Sequence, residues 1–289
     1  MKGWGAVLAA GAIYALAIEP YRLEVTEVTL PCPHLPPALD GLSILLLADP
    51  HMSRWGRRER HLARLLDALP TPDIAVLAGD LIHGAPGVPW AAALVRRHVR
   101  ARYARFGVLG NAEHKLSARG RRGMVAALEK AGLRVLINEN EPLAVEGAIF
   151  TVAGTDDPYY GHADLPRTLA GIPPDHFLLL LAHSPQLACQ AARAGVDVVL
   201  SGHTHGGQVR LPLIGALRTQ NPLGRKVDAG LFDRARLRAA LGRDPGGDAV
   251  LYISRGIGTA RLWRLPIHPR FLCRPEIAWL TLRRAPNPP

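Results

Sequence analysis

The chain has 289 residues, 48% of them hydrophobic and 20% charged, an ordinary globular composition that argues against general disorder and against a multi-span membrane protein. Its net charge is +11, carried mostly by arginine because only Lys2, Lys115, Lys130 and Lys226 are lysines; such a field favours anionic partners, or is simply an arginine-rich solvated surface. The widely spaced Cys32, Cys189 and Cys273 argue against a cysteine zinc site and a disulfide framework, leaving Cys189 as a packed small hydrophobe and Cys32 with Cys273 open to pairing in an oxidising compartment.

From Trp4 to Ile18 every residue is apolar or glycine, with Lys2 before and Glu19-Pro20 after. The run falls short of the roughly 20 residues a membrane span needs, and Ala15 with Ala17 has the small-x-small spacing of a signal cleavage site. Residues 1–18 are therefore expected to form an apolar anchor or interfacial helix, a cleaved signal and a core helix being the alternatives. The expected localisation is membrane-associated through this helix, with the membrane surface as a partner. In residues 19–42, the alternating stretch Arg22 to Leu30 and then Pro31, Pro33, Pro36 and Pro37 predict an edge strand and a proline-rich linker.

From residue 43 a short apolar run, a turn and an amphipathic helix repeat, which predicts α/β architecture. Strands are expected at Ser43–Ala48, Ile74–Ala78, Phe106–Leu109, Ile149–Ala153, Phe177–Ala182, Val196–Leu200, Val250–Ser254 and Glu276–Leu282. Helices are expected at Arg57–Leu69 and Pro89–Tyr103, and a helix-like stretch at Leu231–Leu241 within a long loop from Gly206 to Asp248 that covers the strand ends. One domain is expected over 43–284, with 285–289 as a tail.

Metal-type ligands gather just past the strand ends: Asp49 and His51, Asp80, Asn111, His183, His203 and His205. Open α/β sheets bind ligands at the carboxyl edges of their strands. Residues two apart on an extended segment face one side, so each doublet can address one cavity. Mixed carboxylate, amide and imidazole donors suit two divalent ions such as Mn, Fe or Zn. Gly79 and Gly110 precede Asp80 and Asn111 and allow tight turns there.

Asp49-Pro50-His51, Gly79-Asp80, Gly110-Asn111, His183 and Gly202-His203-Thr204-His205 resemble, in order and spacing, the five signatures of calcineurin-like metallophosphoesterases. The resemblance runs from about Asp40 to Leu282 and implies a four-layer α/β/β/α sandwich. The N-terminal apolar helix and Gly206-Gly207-Gln208 resemble in particular a bacterial membrane-associated branch that includes lipid-related and UDP-2,3-diacylglucosamine-type phosphoesterases. It implies that Asp49, His51 and His205 bind one metal, that Asn111, His183 and His203 bind the other, and that Asp80 bridges them. Two cations about 3.5–4 Å apart lower the pKa of a bound water for in-line attack and clamp the phosphoryl oxygens.

The sequence departs from the family at one place. The histidine that usually follows the asparagine, as acid for the leaving group, is Ala112, and Glu113 and His114 come next. His114 is the candidate replacement; otherwise the bond broken has a good leaving group, as a phosphoanhydride does. The expected function is a divalent-metal phosphoesterase acting on a phosphorylated lipid or nucleotide-linked substrate. A broad phosphodiesterase or nuclease, without any recognisable nucleic-acid module, and a silent metal-binding scaffold are the alternatives. Arg54, Arg210 and Arg255, near motif ends or in the covering loop, are candidate phosphate contacts. Asp156 and Asp157 read as a turn before Pro158 rather than carboxylates supporting a metal. Leu211, Leu213, Ile214 and Leu217 are expected to pack down, acceptance of an acyl chain being the alternative. His34, His61, His83, His98, His162, His176 and His268 read as ordinary surface residues.

Overall fold

The computed structural model describes residues 2–260 and 267–285; apart from Ala285, the expected tail lies outside the described residues. In chain order the elements are α1 (Lys2–Ile13), β1 (Glu24–Cys32), β2 (Ser43–Leu47), α2 (Arg57–Ala68), β3 (Ile74–Ala78), α3 (Val88–His98), β4 (Ala104–Val108), α4 (Ala118–Lys130), β5 (Arg134–Val135), β6 (Glu139–Val145) and β7 (Ala148–Gly154). There follow α5 (Leu165–Leu169), β8 (Leu178–Leu181), α6 (Ala188–Arg193), β9 (Val198–Ser201), β10 (Arg210–Leu211), β11 (Gly215–Ala216), β12 (Gly230–Phe232), α7 (Arg234–Leu241), β13 (Val250–Ile253) and β14 (Glu276–Arg284).

Two six-stranded sheets run β1-β14-β2-β3-β4-β5 and β12-β13-β9-β8-β7-β6, with β10 and β11 as a separate hairpin. The strands β2 to β5 are parallel, as are β7, β8, β9 and β13. The period-two alternation of a strand explains the layering. Ile44 and Leu46 face the core between the sheets with Val76, Phe106, Phe150, Leu179 and Leu200. Leu45 and Leu47 point the other way, against Leu62 and Leu66 of α2, Leu94 of α3 and Leu128 of α4. The outer face of the second sheet, Leu180, Val199 and Leu251, packs on Ala188 and Ala191 of α6 and Leu237 of α7. Helices thus cover both outer faces, giving the expected α/β/β/α order. Strands buried on both faces read as unbroken apolar runs, which is why they were legible in the sequence.

Several elements differ from expectation. The edge strand forms as β1, two residues later than expected, parallel to β14. α3 ends at His98 rather than at residue 103, because Val99 takes extended backbone and Arg102 and Tyr103 donate their amides to Pro72 and Asp73 carbonyls at the mouth of β3. The covering loop holds a hairpin and a strand, and its helix starts only at Arg234, where the Asp233 carboxylate accepts from the Arg236 amide; Gly242, in the left-handed region, ends it. Leu213 and Ile214 do not pack down but stand exposed on that hairpin, and Leu211 and Leu217 are at least a third exposed. All three cysteines are free and buried, so Cys32 and Cys273 are not paired.

The expected membrane-associated localisation is corrected. No helix among the described residues is long and apolar enough to cross a membrane. α1 continues into a π-helical turn over Tyr14–Ile18 and a 3₁₀ turn over Glu19–Tyr21, and this end of the run is tied to the body of the fold. There the buried Glu19 carboxylate accepts the amides of Leu272 and Cys273, and the Arg270 amide donates to the Ala15 carbonyl at 2.8 Å.

Candidate metal centre

Five parallel strands deliver the seven ligand-type residues. Asp49 and His51 follow β2, Asp80 follows β3 and Asn111 follows β4; His183 follows β8, while His203 and His205 follow β9. The two sheets face each other, so their carboxyl edges meet and the side chains form one connected cluster. The His51 and His205 Nε2 atoms are 3.3 Å apart. Asp80 turns one oxygen toward each sheet's imidazole: Oδ2 lies 3.5 Å from His51 Nε2 and Oδ1 3.4 Å from His183 Nε2. Asn111 Oδ1 and His203 Nδ1 lie 3.3 and 3.2 Å from the same His183 nitrogen.

Hydrogen bonds to backbone fix which ring nitrogen faces inward. His183 Nδ1 donates to the Ala78 carbonyl at 2.7 Å, so Nε2 keeps its lone pair toward the cluster. His203 Nε2 donates to the Gln220 carbonyl at 3.1 Å, leaving Nδ1 inward. Burial holds the His51 and His203 imidazoles down at about 4 and pushes His205 well below and His183 below the usual value, so all four are neutral at pH 7. Burial, reinforced by the neighbouring Asp80 charge, pushes the Asp49 carboxyl well up. Two crowded acids among neutral imidazoles are an arrangement that a cation stabilises and its absence penalises.

Two further observations fit divalent cations. Asp49 Oδ1 and His51 Nδ1 are buried with no hydrogen-bond partner. The ligand atoms of Asp49, His51 and His205, and those of Asp49, Asp80 and His183, each lie within 4.8 Å of one another. Asp49, His51, Asp80, His203 and His205 all have positive φ, between 46° and 68°. Each such non-glycine residue costs on the order of 1 kcal/mol and persists only where the surrounding fold over-determines it. Steric room is as tight: a Cβ on Gly110 would sit 2.4 Å from Asp80 Oδ1.

The family description "Calcineurin-like phosphoesterase" matches residues 42–207 of this chain. The chain belongs to that family. It is 30% identical to the uncharacterized metallophosphoesterase YkuE of Bacillus subtilis, over 98% of this chain and 96% of that one. It is 30% identical to the phosphodiesterase YaeI of Escherichia coli, over 83% and 81% of the two chains. A cattle transmembrane protein with metallophosphoesterase domain is 33% identical over 91% of this chain, which spans 57% of that longer protein. The chain is a metal-dependent phosphoester hydrolase by family.

Against this family background the remaining candidates separate. His114 does not line the cavity over the ligands: its Nε2 is 2.7 Å from Asp156 Oδ1 and its ring stacks on His162 with centroids 4.0 Å apart. Arg255 is engaged by Glu276 at 3.0 Å and Glu24 at 2.9 Å, and Arg210 by Asp228 and the Gly206 carbonyl, and neither lines the cavity over the ligands. Arg54 lines a cleft of about 740 Å³ beside His51. Asp157 caps the expected turn, accepting the Tyr159 and Tyr160 amides, while Asp156 is the partner of His114.

Three residues went unread in the sequence. Glu113 is fully buried and its carboxylate accepts the amides of Asp80, Ile82 and Gly110, bracing the turns that carry Asp80 and Asn111. Burial, with Asp80 nearby, pushes its carboxyl up to about 8 against the pull of those three donors. Arg270, also fully buried, donates to the carbonyls of Arg255, Gly256, Gly258 and Cys273 and places Nη2 3.4 Å from His205 Nδ1. His83, read as a surface residue, lines the cavity of about 360 Å³ above the ligands together with Lys115, Gln220 and Thr259. Its place three residues past Asp80 was the available signal, and in the fold it directly follows Ile82, which bridges to Met52.

Proposed function

We propose that the seven ligand-type residues hold two divalent cations, Mn, Fe or Zn, and that the enzyme cleaves a phosphate bond with a good leaving group in a nucleotide-linked or lipid-linked substrate. When bound, the cation pair would supply Lewis acidity toward phosphoryl oxygens and an activated water. Asp49, His51 and His205 would serve one ion, Asn111, His183 and His203 the other, and Asp80, with one oxygen toward each sheet, both. The backbone bonds on His183 and His203 orient their ligating nitrogens, and Glu113 keeps the Asp80 turn in place.

The observation that carries the leaving-group reading is the pairing of His114 with Asp156. Ala112 cannot donate a proton and His114 is turned away, so the departing oxygen leaves as an anion. That favours groups whose conjugate acids are already strong, such as the phosphate released from a phosphoanhydride. A general phosphodiesterase is the second reading, supported by the name of the Escherichia coli relative.

The test is hydrolysis of a nucleotide-sugar anhydride, a phosphodiester and an alkyl phosphate monoester by metal-stripped protein titrated with Mn, alongside Asp80→Ala and His203→Ala. Turnover should appear with Mn, vanish in both variants and be fastest on the anhydride. Equal rates on anhydride and alkyl monoester would sink the leaving-group reading.

A further inference from the structure

We propose that Lys115 is the catalytic residue on the leaving-group side: its ammonium meets the negative charge that develops on the departing oxygen, a role the family's histidine would otherwise fill at Ala112. This rests on the phosphoesterase reading above and adds the residue responsible for leaving-group departure.

The local backbone puts Lys115 in that place. Glu113–Lys115 form a 3₁₀ turn preceded by Ala112, and the Lys115 amide donates to the Ala112 carbonyl at 3.2 Å. Side chains three apart on a 3₁₀ turn eclipse one another, so Lys115 projects on the side of Ala112 while Glu113 and His114 are sent elsewhere. Glu113 goes inward to the backbone amides and His114 goes to Asp156. Lys115 lines the same cavity as His51, Asp80, Asn111, His203 and His205, and among the described residues it is the only lysine or arginine that does. Its charge also acts on His203, lowering that ring's proton affinity.

The ammonium has no ion-pair partner among the described residues, whereas Arg58, Arg210 and Arg255 around the site each have a carboxylate. Exposed at the cavity rim on a four-carbon stem, it can follow the leaving oxygen. No proton transfer from Lys115 is required. A water oxygen forms a bond to phosphorus and gives up its proton to solvent as the bond from phosphorus to the leaving oxygen breaks; that electron pair stays on the leaving oxygen, the ammonium donates a hydrogen bond to the anion, and the anion takes a proton from solvent once released. Charge placed where charge develops lowers the barrier most for the poorest leaving groups.

The experiment compares wild type, Lys115→Met and Lys115→Arg, all reconstituted with Mn, on aryl phosphates of graded leaving-group acidity and on an alkyl phosphate. Lys115→Met should lose about 100-fold in kcat on the alkyl phosphate and less than about 5-fold on p-nitrophenyl phosphate, and Lys115→Arg should recover part of the loss, with metal content unchanged. A uniform loss across the series, or none, overturns the assignment. Calorimetric titration of Mn-loaded protein with a non-hydrolysable alkyl phosphonate and with inorganic phosphate gives a reading independent of turnover. Lys115→Met should leave phosphonate affinity within about 3-fold of wild type, because the neutral alkyl side carries no charge for the ammonium to meet, while phosphate binds about 10-fold more weakly. Equal losses for both ligands would mark Lys115 as a general phosphate clamp and overturn the leaving-group role. If wild type turns over nothing while binding two metals, the phosphoesterase reading fails, and the paired titrations still decide where Lys115 acts.

Discussion

The two sheets contribute different chemistry to one centre. The first supplies oxygens, from Asp49, Asp80 and Asn111, with the single imidazole of His51; the second supplies imidazoles alone, from His183, His203 and His205. Neither edge is a metal site by itself, and the bonds that aim the ligands cross from one sheet to the other. His183 of the second sheet is oriented by the Ala78 carbonyl of the first, and Asp49 of the first accepts the His203 amide of the second at 2.9 Å. The centre is therefore a property of how the sheets stack, and its precision depends on the apolar layer between them.

The comparison breaks most completely at the residue that faces both sheets. Asp80→Ala should lower turnover at least about 1000-fold and reduce bound metal below two ions per chain, measured by elemental analysis on protein whose circular dichroism is unchanged. A variant that keeps both ions would place the bridge elsewhere. The next largest effect is steric: Gly110→Ala forces a Cβ against Asp80 Oδ1 and within 2.8 Å of His183 Nε2, at the contact between sheets. It should weaken metal binding by about 100-fold, while Gly123→Ala on α4, with nothing within 4 Å, should leave it unchanged. Glu113→Gln keeps one acceptor oxygen but sets an NH2 donor against the backbone amides that the other oxygen served, on the first sheet's side only, and should cost about 10- to 100-fold in metal affinity.

The smallest effect separates the imidazoles from the carboxylates. His51 and His203 are held at about 4 in the fold against 6.5 as the ordinary value, so the unfolded chain binds more protons between those limits. Their contribution to the stability of the metal-free protein is full above about pH 6.5 and is lost as pH falls toward 4, by up to about 3 kcal/mol per group. The raised Asp49 and Glu113 carboxyls act in the opposite sense over the same range, so the imidazole contribution is read as a difference: the urea midpoint of chelator-treated wild type minus that of His203→Gln should fall from pH 7.5 to 5.5 to 4.5, and a flat difference would mean the ring is not buried neutral.

The seven ligand-type residues, the strands that carry them and the layered class were legible in the sequence because two simple signals coincide: apolar runs long enough for a buried strand, each ending in a glycine or a ligand-type residue. Residues 112–148 were not legible, since α4 carries Gly120 and Gly123 and β6 opens with Glu139-Asn140-Glu141-Pro142, which hides the period. Glu113 and Arg270 were missed because their partners are backbone groups far along the chain, and no side-chain pattern announces a carboxylate that serves three amides. Arg210 and Arg255 looked available for phosphate only because Asp228, Glu276 and Glu24 are remote in sequence or unpatterned. The apolar N-terminus misled for a related reason: hydropathy reports what a segment tolerates, whereas the docking of residues 14–21 is set by Glu19 and Arg270.

What the sequence determined by itself was the ligand inventory and its order along the chain, because donor types and strand ends are local features. Which nitrogen of His183 and His203 faces inward, how His114 is paired with Asp156 and Lys115 brought to the cavity, and which arginines already have carboxylate partners were decided only by tertiary structure. Each of those depends on hydrogen bonds and ion pairs between residues that the stacking of two sheets and the turns between them bring together.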